Sequence, residues 1–67
     1  MIQKELLYTA YIHKQNRNSY FINLCNFRQD DKHIMRSKLF KSKSLLINWL
    51  SELPIDIDKV MIVDVTL

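Results

Sequence analysis

The chain contains no glycine, one proline (Pro54) and one cysteine (Cys25). The lack of glycine excludes the glycine-rich loops that cradle phosphates. One thiol forms neither an internal disulfide nor a cysteine-based zinc site. No apolar run approaches the ~20 residues needed to span a bilayer, and no signal peptide opens the chain. These absences predict a cytoplasmic protein without a membrane partner.

The length and composition predict one small folded domain covering residues 1–67. The chain is 48% hydrophobic and 25% charged, which is typical of a globular domain. A domain of this size buries only about 60% of the surface that its unfolded chain exposes, so we expect a small free energy of unfolding. There is no room for separate cofactor and substrate domains, and we expect binding rather than catalysis.

Positive charge is concentrated in the first two thirds of the chain. Residues 1–43 hold nine Lys or Arg against three acids, whereas residues 44–67 hold one against four. Between Lys32 and Lys43 there are five Lys or Arg, with His33, and no acid. This run is either a surface that binds phosphate or an acidic protein, or a solvated strand edge that keeps the protein soluble.

Residue patterns predict the order β-β-β-α-β. Aromatic and β-branched residues indicate strands over 5–13, 20–28, 33–40 and 60–67, with polar turns at 14–19 and 29–32. A helical period begins at Ser42 or Ser44, either of which is a suitable N-cap. The helix ends at Leu53 because Pro54 disfavours a helical residue before it. Its apolar stripe comprises Leu45, Leu46, Trp49, Leu50 and Leu53.

This order predicts an α+β two-layer sandwich in which one helix covers an antiparallel sheet of about four strands. The fourth strand pairs with either the first or the third. By parity, the face toward the helix carries Ile22, Leu24, Met35, Leu39, Met61, Val63 and Val65. Parity leaves the first strand ambiguous, and we favour the orientation that puts Tyr8, Ala10 and Ile12 on this face. The outer face carries Tyr11, His13, Phe21, Asn23, Phe27, Arg36, Lys38 and Asp64.

No residue set has the spacing of a catalytic or metal site. The two histidines, His13 and His33, lack a convergent set of further ligands. Asp56 and Asp58 resemble the start of a calcium loop, but the glycine and the distal glutamate are missing. We therefore expect no enzyme activity, no cofactor and no metal.

Aromatic and basic residues together predict a partner-binding surface. Tyrosine and arginine anchor protein interfaces, and aromatic side chains on sheets also stack on nucleobases. The predicted contact residues are Tyr11, Tyr20, Phe21, Arg28, Arg36, Lys38 and Lys41.

Two segments carry a family resemblance. The pattern F-x-S-x-x-x-L-x-x-W-Φ-x-x-L-P, from Phe40 to Pro54, and L-x-T-A-x-Φ, from Leu7 to Ile12, resemble the helix and first strand of small phage-encoded anti-CRISPR proteins that inhibit type I-F surveillance complexes. The resemblance implies a non-catalytic inhibitor that binds the complex and blocks hybridisation of target DNA. Tyr20 matches one tyrosine of that family's contact surface, and Leu6 stands at the position of the other.

The leading hypothesis is a phage or mobile-element inhibitor that binds a host protein or ribonucleoprotein complex and occludes its nucleic-acid-binding surface. The alternatives are a small nucleic-acid-binding or regulatory domain and a toxin–antitoxin component. The sequence is compatible with a monomer or a homodimer.

Overall fold

Four strands and one α-helix follow one another in the order that the sequence predicts. The computed structural model describes residues 5–28 and 32–66. The elements are β1 (Tyr8–Asn16), β2 (Ser19–Asn26), β3 (His33–Arg36), α1 (Lys43–Glu52), a short 3-10 helix (Ile57–Lys59) and β4 (Val60–Asp64). The α+β class and the order β-β-β-α-β are confirmed.

The strands form one mixed sheet in the spatial order β3-β2-β1-β4. The β1–β2 and β2–β3 pairs are antiparallel, and β4 pairs with β1 in parallel. Helix α1 connects β3 at one edge to β4 at the other, and this crossover lets β4 run in the same direction as β1. The sequence left the first and third strands as possible partners of β4, and the structure pairs β4 with β1.

The β1–β2 hairpin extends further than the sequence predicts. The predicted turn over residues 14–19 shrinks to Arg17–Asn18, because the ladder continues through the Lys14–Tyr20 pair to the Asn16–Ser19 pair. At the tip, the Asn18 N–H donates to the Asn16 Oδ1 at 3.1 Å. The polar tip of the hairpin lacks the apolar alternation that indicates a strand, but backbone pairing with β2 is sufficient to extend β1 to Asn16.

Strand β3 is shorter than the predicted 33–40, because Ser37 bonds differently from a ladder residue. The Ser37 N–H donates to the Ile22 carbonyl at 2.8 Å. Its hydroxyl accepts from the Ile22 N–H at 2.8 Å and donates to the Lys38 carbonyl at 2.8 Å. The chain therefore leaves the ladder at Ser37 and pairs with β2 again only at an isolated bridge between Phe40 and Tyr20. Residues 29–31 of the predicted turn lie outside the described residues.

Replacing Ser37 with alanine should destabilise the fold by about 1–3 kcal/mol, because it leaves the buried Ile22 N–H without its acceptor. Urea denaturation followed by circular dichroism measures the loss. Ser51 is the matched control, since its hydroxyl is exposed and donates to the Asn48 carbonyl at 2.8 Å. Equal stability of Ser37→Ala and Ser51→Ala would contradict this role.

Helix α1 begins and ends at the residues that the sequence indicates. Ser42 is the N-cap, and its side chain accepts a hydrogen bond from the Leu45 N–H at 3.3 Å. Leu53 is extended at the C-cap, directly before Pro54. Of the predicted apolar stripe, Leu46 and Leu50 are fully buried, and Leu45 is exposed. The helix thus buries a narrower stripe than its sequence predicts.

The core lies between helix α1 and one face of the sheet. Its buried residues are Ala10, Ile12, Ile22, Leu24, Leu46, Leu50 and Val60. The inward orientation predicted for Ala10, Ile12, Ile22 and Leu24 is confirmed. Tyr8, Tyr20, Phe40 and Trp49 pack against this cluster from its margins.

The predicted faces of β4 are wrong. Val60 pairs with Tyr8 and Asp64 pairs with Ile12, so the even-numbered residues of β4 share the helix face. Met61 and Val63, predicted inward, therefore face outward. Val65 lies beyond the end of β4 and is exposed, and Leu67 lies outside the described residues. The cause is non-local, because the register with β1 decides which face each residue takes.

Met35 and Leu39 are also more exposed than predicted. Met35 is aligned with Leu24 but lies in an edge strand whose four residues are all exposed. Leu39 follows the end of β3 and is exposed as well. Helix α1 packs mainly against the neighbouring strand β2, so its apolar side chains do not cover the β3 edge.

Candidate partner-binding surface

The sheet face opposite helix α1 is built from alternate residues of its strands. Register places Thr9 beside Cys25, Tyr11 beside Asn23 and His13 beside Phe21. Thr9 and Cys25 are buried, and Tyr11, His13 and Phe21 are half-buried. The small residues thus form the floor of this outer face, and the aromatic residues rise from it.

Four side chains form a connected group across β1, β2 and β3, which we call the outer-face row: Tyr11, His13, Phe21 and Arg36. The His13 and Phe21 rings stack with centroids 5.2 Å apart and an interplanar angle of 17°. The Tyr11 ring lies 6.5 Å from His13 and is tilted by 42°. The Arg36 guanidinium carbon lies 4.0 Å from the Phe21 ring centroid. The row combines aromatic surface with one cation.

Arg36 is held at two points. Besides its contact with Phe21, its Nη2 donates to the Gln15 Oε1 at 3.2 Å. Arg36 thus reaches from β3 across β2 to β1. A guanidinium has five N–H donors, so this bond leaves others to meet a partner. Sequence reasoning missed Gln15 by placing it in a turn, and it lies where the β1–β2 register shifts, between Lys14 and Asn16, so alternation alone does not assign its face.

The outer face carries positive charge without a compensating acid among its strand residues. Arg36 provides the cation, and the acid predicted on this face, Asp64, lies on the helix face instead. Because Asp64 is absent from it, the outer face is more favourable for an electronegative partner than the sequence predicts.

Tyr20 lies on the other side of the sheet from the outer-face row. It pairs with Lys14 in the ladder and packs against the core. The Lys14 and Lys43 Nζ atoms lie 5.6 and 5.7 Å from its ring centroid. Tyr20 is thus flanked by two ammonium groups, but it does not belong to the same surface as Tyr11 and Phe21.

The remaining predicted contact residues are dispersed. The Lys38 Nζ lies 5.4 Å from the Phe40 ring centroid, beyond the end of β3. Lys41 is exposed just before helix α1. Arg28 follows β2 and forms an exposed ion pair with Glu5 at 3.2 Å. The structure therefore brings together Tyr11, Phe21 and Arg36 and separates the other four.

Asp64 forms an ion pair with Lys43 and accepts two further hydrogen bonds from Thr66. Its Oδ2 accepts from the Lys43 Nζ at 2.7 Å, and its Oδ1 accepts from the Thr66 N–H at 2.9 Å and hydroxyl at 2.6 Å. These hydrogen bonds, that from Lys43 first, lower the pKa of Asp64 from 3.8 to about 2. The pair connects the start of helix α1 to the end of β4.

This ion pair predicts a pH dependence of stability. The pKa of Asp64 is lower in the folded state than in the unfolded state. The ionised carboxylate therefore stabilises the fold above pH 3.8, and this stabilisation is lost as the pH falls toward about 2. Comparing urea midpoints of the wild type and Asp64→Asn over this range should show a difference that shrinks on acidification. The exposed Glu52, replaced by glutamine, is the control. A constant difference between wild type and Asp64→Asn would contradict the assignment.

Within residues 5–28 and 32–66, no three His, Cys, Asp or Glu side chains are grouped so as to hold a metal ion. In that part of the chain, neither the ten-residue helix α1 nor the short 3-10 helix is long and apolar enough to cross a membrane.

No family model, curated protein or solved structure matches this chain. The resemblance to type I-F anti-CRISPR proteins therefore stays a prediction from the two sequence segments that carry it.

Proposed function

We propose that this chain is a non-enzymatic inhibitor, encoded by a phage or mobile element, that binds a host protein or ribonucleoprotein complex in the host cytoplasm. Its outer face docks on the target and occludes a nucleic-acid-binding surface. A CRISPR surveillance complex is the target that the sequence resemblance favours. The outer-face row is the observation that carries this proposal.

The composition of the row supports protein docking. Tyrosine and arginine are enriched among residues that dominate interface energetics. Arg36 is already restrained by Phe21 and Gln15, so it loses less side-chain freedom on binding than an unrestrained arginine. A restrained cation among aromatic residues favours a protein partner that presents a carboxylate to it.

The geometry of Phe21 favours protein over nucleic acid at this face. Base stacking requires an accessible ring plane. Phe21 is stacked with His13 and is also contacted by the Arg36 guanidinium, so less of its ring plane is available to a base. Its edges and the remaining Arg36 donors suit side-chain contacts instead.

A pull-down with tagged full-length protein tests the proposal. The source is a bacterial lysate that contains CRISPR–Cas effectors, divided into portions with and without nuclease treatment. We expect one stoichiometric protein complex that survives the nuclease. Recovery of mixed nucleic acid that is lost on nuclease treatment would contradict the proposal.

Direct nucleic-acid binding is the second candidate, and the surface around Tyr20 favours it. Lys14 and Lys43 flank that ring, and Lys38 lies over the adjacent Phe40. Binding through this surface predicts affinity for oligonucleotides that falls with salt, with a logarithmic slope of about one per phosphate contact. Titrating a labelled oligonucleotide at several salt concentrations measures that slope. If the chain is an inhibitor that binds a protein target, we expect little oligonucleotide binding at any salt concentration.

A further inference from the structure

The two edges of the sheet differ in their protection against pairing with another strand. Edge strand β3 carries His33 and Arg36 and is followed by Lys38. Edge strand β4 has four consecutive apolar residues, Val60–Val63, before Asp64. Charged side chains on an edge discourage strand addition, and an apolar edge invites it. The β4 edge is therefore the one suited to pair with a further strand.

The backbone of β4 presents hydrogen-bonding groups to that edge. The Val65 N–H donates to the Ile12 carbonyl of β1 at 3.1 Å. Because successive residues of a strand direct their N–H and C=O groups to opposite sides, Met61 and Val63 also bond toward β1. The groups of Val60, Ile62 and Asp64 point away from the sheet.

Within residues 5–28 and 32–66, one of these outward groups has a partner. The Val60 N–H donates to the Ile57 carbonyl at the end of the 3-10 helix. The Val60 carbonyl and both backbone groups of Ile62 and Asp64 remain directed toward the edge. This set is centred on Ile62, which is the middle residue of β4.

We propose that the occupant of this edge is a second copy of the chain, whose β4 pairs antiparallel with the first about a two-fold axis at Ile62. In that register, Ile62 lies opposite itself and exchanges both hydrogen bonds with its copy. The Asp64 N–H of each chain meets the Val60 carbonyl of the other. The outward groups are therefore self-complementary, as a two-fold interface requires.

The charges of the edge permit this pairing. Asp64 is the only charged residue of β4, and the Lys43 ammonium of the same chain neutralises it at 2.7 Å. Opposite it stands the apolar Val60 of the other copy, so no like charges face each other directly. An apolar central residue and a neutralised end favour a second copy over a charged foreign strand.

The symmetry fixes the relation between the two outer faces. Paired residues point to the same side of a sheet, so Ile62 opposite Ile62 places both helices on one side. Both outer-face rows then lie on the other side of one eight-stranded sheet. The dimer is thus bivalent. A target with two adjacent sites has a higher affinity for the dimer than for the monomer.

Sedimentation equilibrium of the full chain and two lysine variants tests the dimer. Ile62 and Ile34 are both isoleucines in edge strands and are each 43% exposed, so Ile34→Lys is the matched control. We expect a wild-type dimer of 8.1 kDa chains at sub-millimolar concentration. Ile62→Lys should raise the dimer dissociation constant about tenfold or more, and Ile34→Lys should leave it unchanged.

A second variant separates pairing from folding. Chemical synthesis with an N-methyl group on the Ile62 backbone removes the central outward donor and keeps the side chain. With native circular dichroism, this chain should also be monomeric. A monomeric wild type, or a dimer weakened equally by Ile34→Lys and Ile62→Lys, overturns the proposal. Neither outcome bears on the outer-face row, whose target binding is measured separately.

Discussion

Replacing Leu46 with alanine should leave the chain largely unfolded at room temperature. Leu46 is 0% exposed in the middle of helix α1 and belongs to the core between helix and sheet. Truncating a buried leucine costs about 2–5 kcal/mol. A single core in a domain of this size supplies about 3–5 kcal/mol in total, so this one change removes most of the margin.

Leu45 provides a control with the same chemistry one residue away. It lies in the same helix and is 47% exposed. Leu45→Ala should change the free energy of unfolding by no more than about 0.5 kcal/mol. Urea titrations followed by far-ultraviolet circular dichroism compare the two variants with the wild type. Similar cooperative transitions for both variants would show that the helix does not pack as described.

Replacing Arg36 with glutamate should weaken binding to the proposed target about 100-fold. Arg36 is the restrained cation of the outer-face row, in contact with Phe21 and Gln15. Truncating a central interface residue of this kind costs about 2–4 kcal/mol, and a reversed charge adds repulsion from the acidic partner we expect. The measurement is the dissociation constant for the purified target, by surface plasmon resonance.

Arg17→Glu is the charge-matched control for this experiment. Arg17 is exposed at the tip of the β1–β2 hairpin, and reversing it changes the net charge by the same amount. We expect little loss of affinity from that variant. Lys38→Glu should also have the smaller effect, because Lys38 contacts Phe40 rather than the outer-face row. Equal losses from Arg36→Glu and Arg17→Glu would indicate a general charge effect and no defined docking surface.

The sequence predicted the type and order of the elements because each carries a local signal. The 3.6-residue period, the N-cap Ser42 and the stop at Pro54 define the helix without reference to the sheet. Alternation within β2 likewise placed Ile22 in the core and Phe21 outside it, whereas the orientation of β1 was ambiguous and the favoured choice, with Ala10 inward, is confirmed. These assignments need no knowledge of which strands are neighbours.

The predictions that are wrong concern features determined by contacts between residues distant in the sequence. Val60–Val63 is apolar at every position, so it has no alternation from which to choose a face; pairing with β1 and the Lys43–Asp64 bond make the choice. The exit from β3 depends on the Ser37 hydroxyl meeting Ile22, fifteen residues away. For the same reason, the sequence indicated aromatic and basic contact residues but not that Arg36 spans two strands to reach Gln15.

Competition with nucleic acid tests whether the outer face occludes a nucleic-acid-binding surface of the proposed target. The purified target is loaded with a fluorescently labelled nucleic acid, and release is followed by anisotropy as the chain is added. We predict stoichiometric release by the wild type and by Arg17→Glu, and little release by Arg36→Glu. A stable complex containing target, nucleic acid and this chain together would show that the outer face does not occlude the nucleic-acid-binding surface.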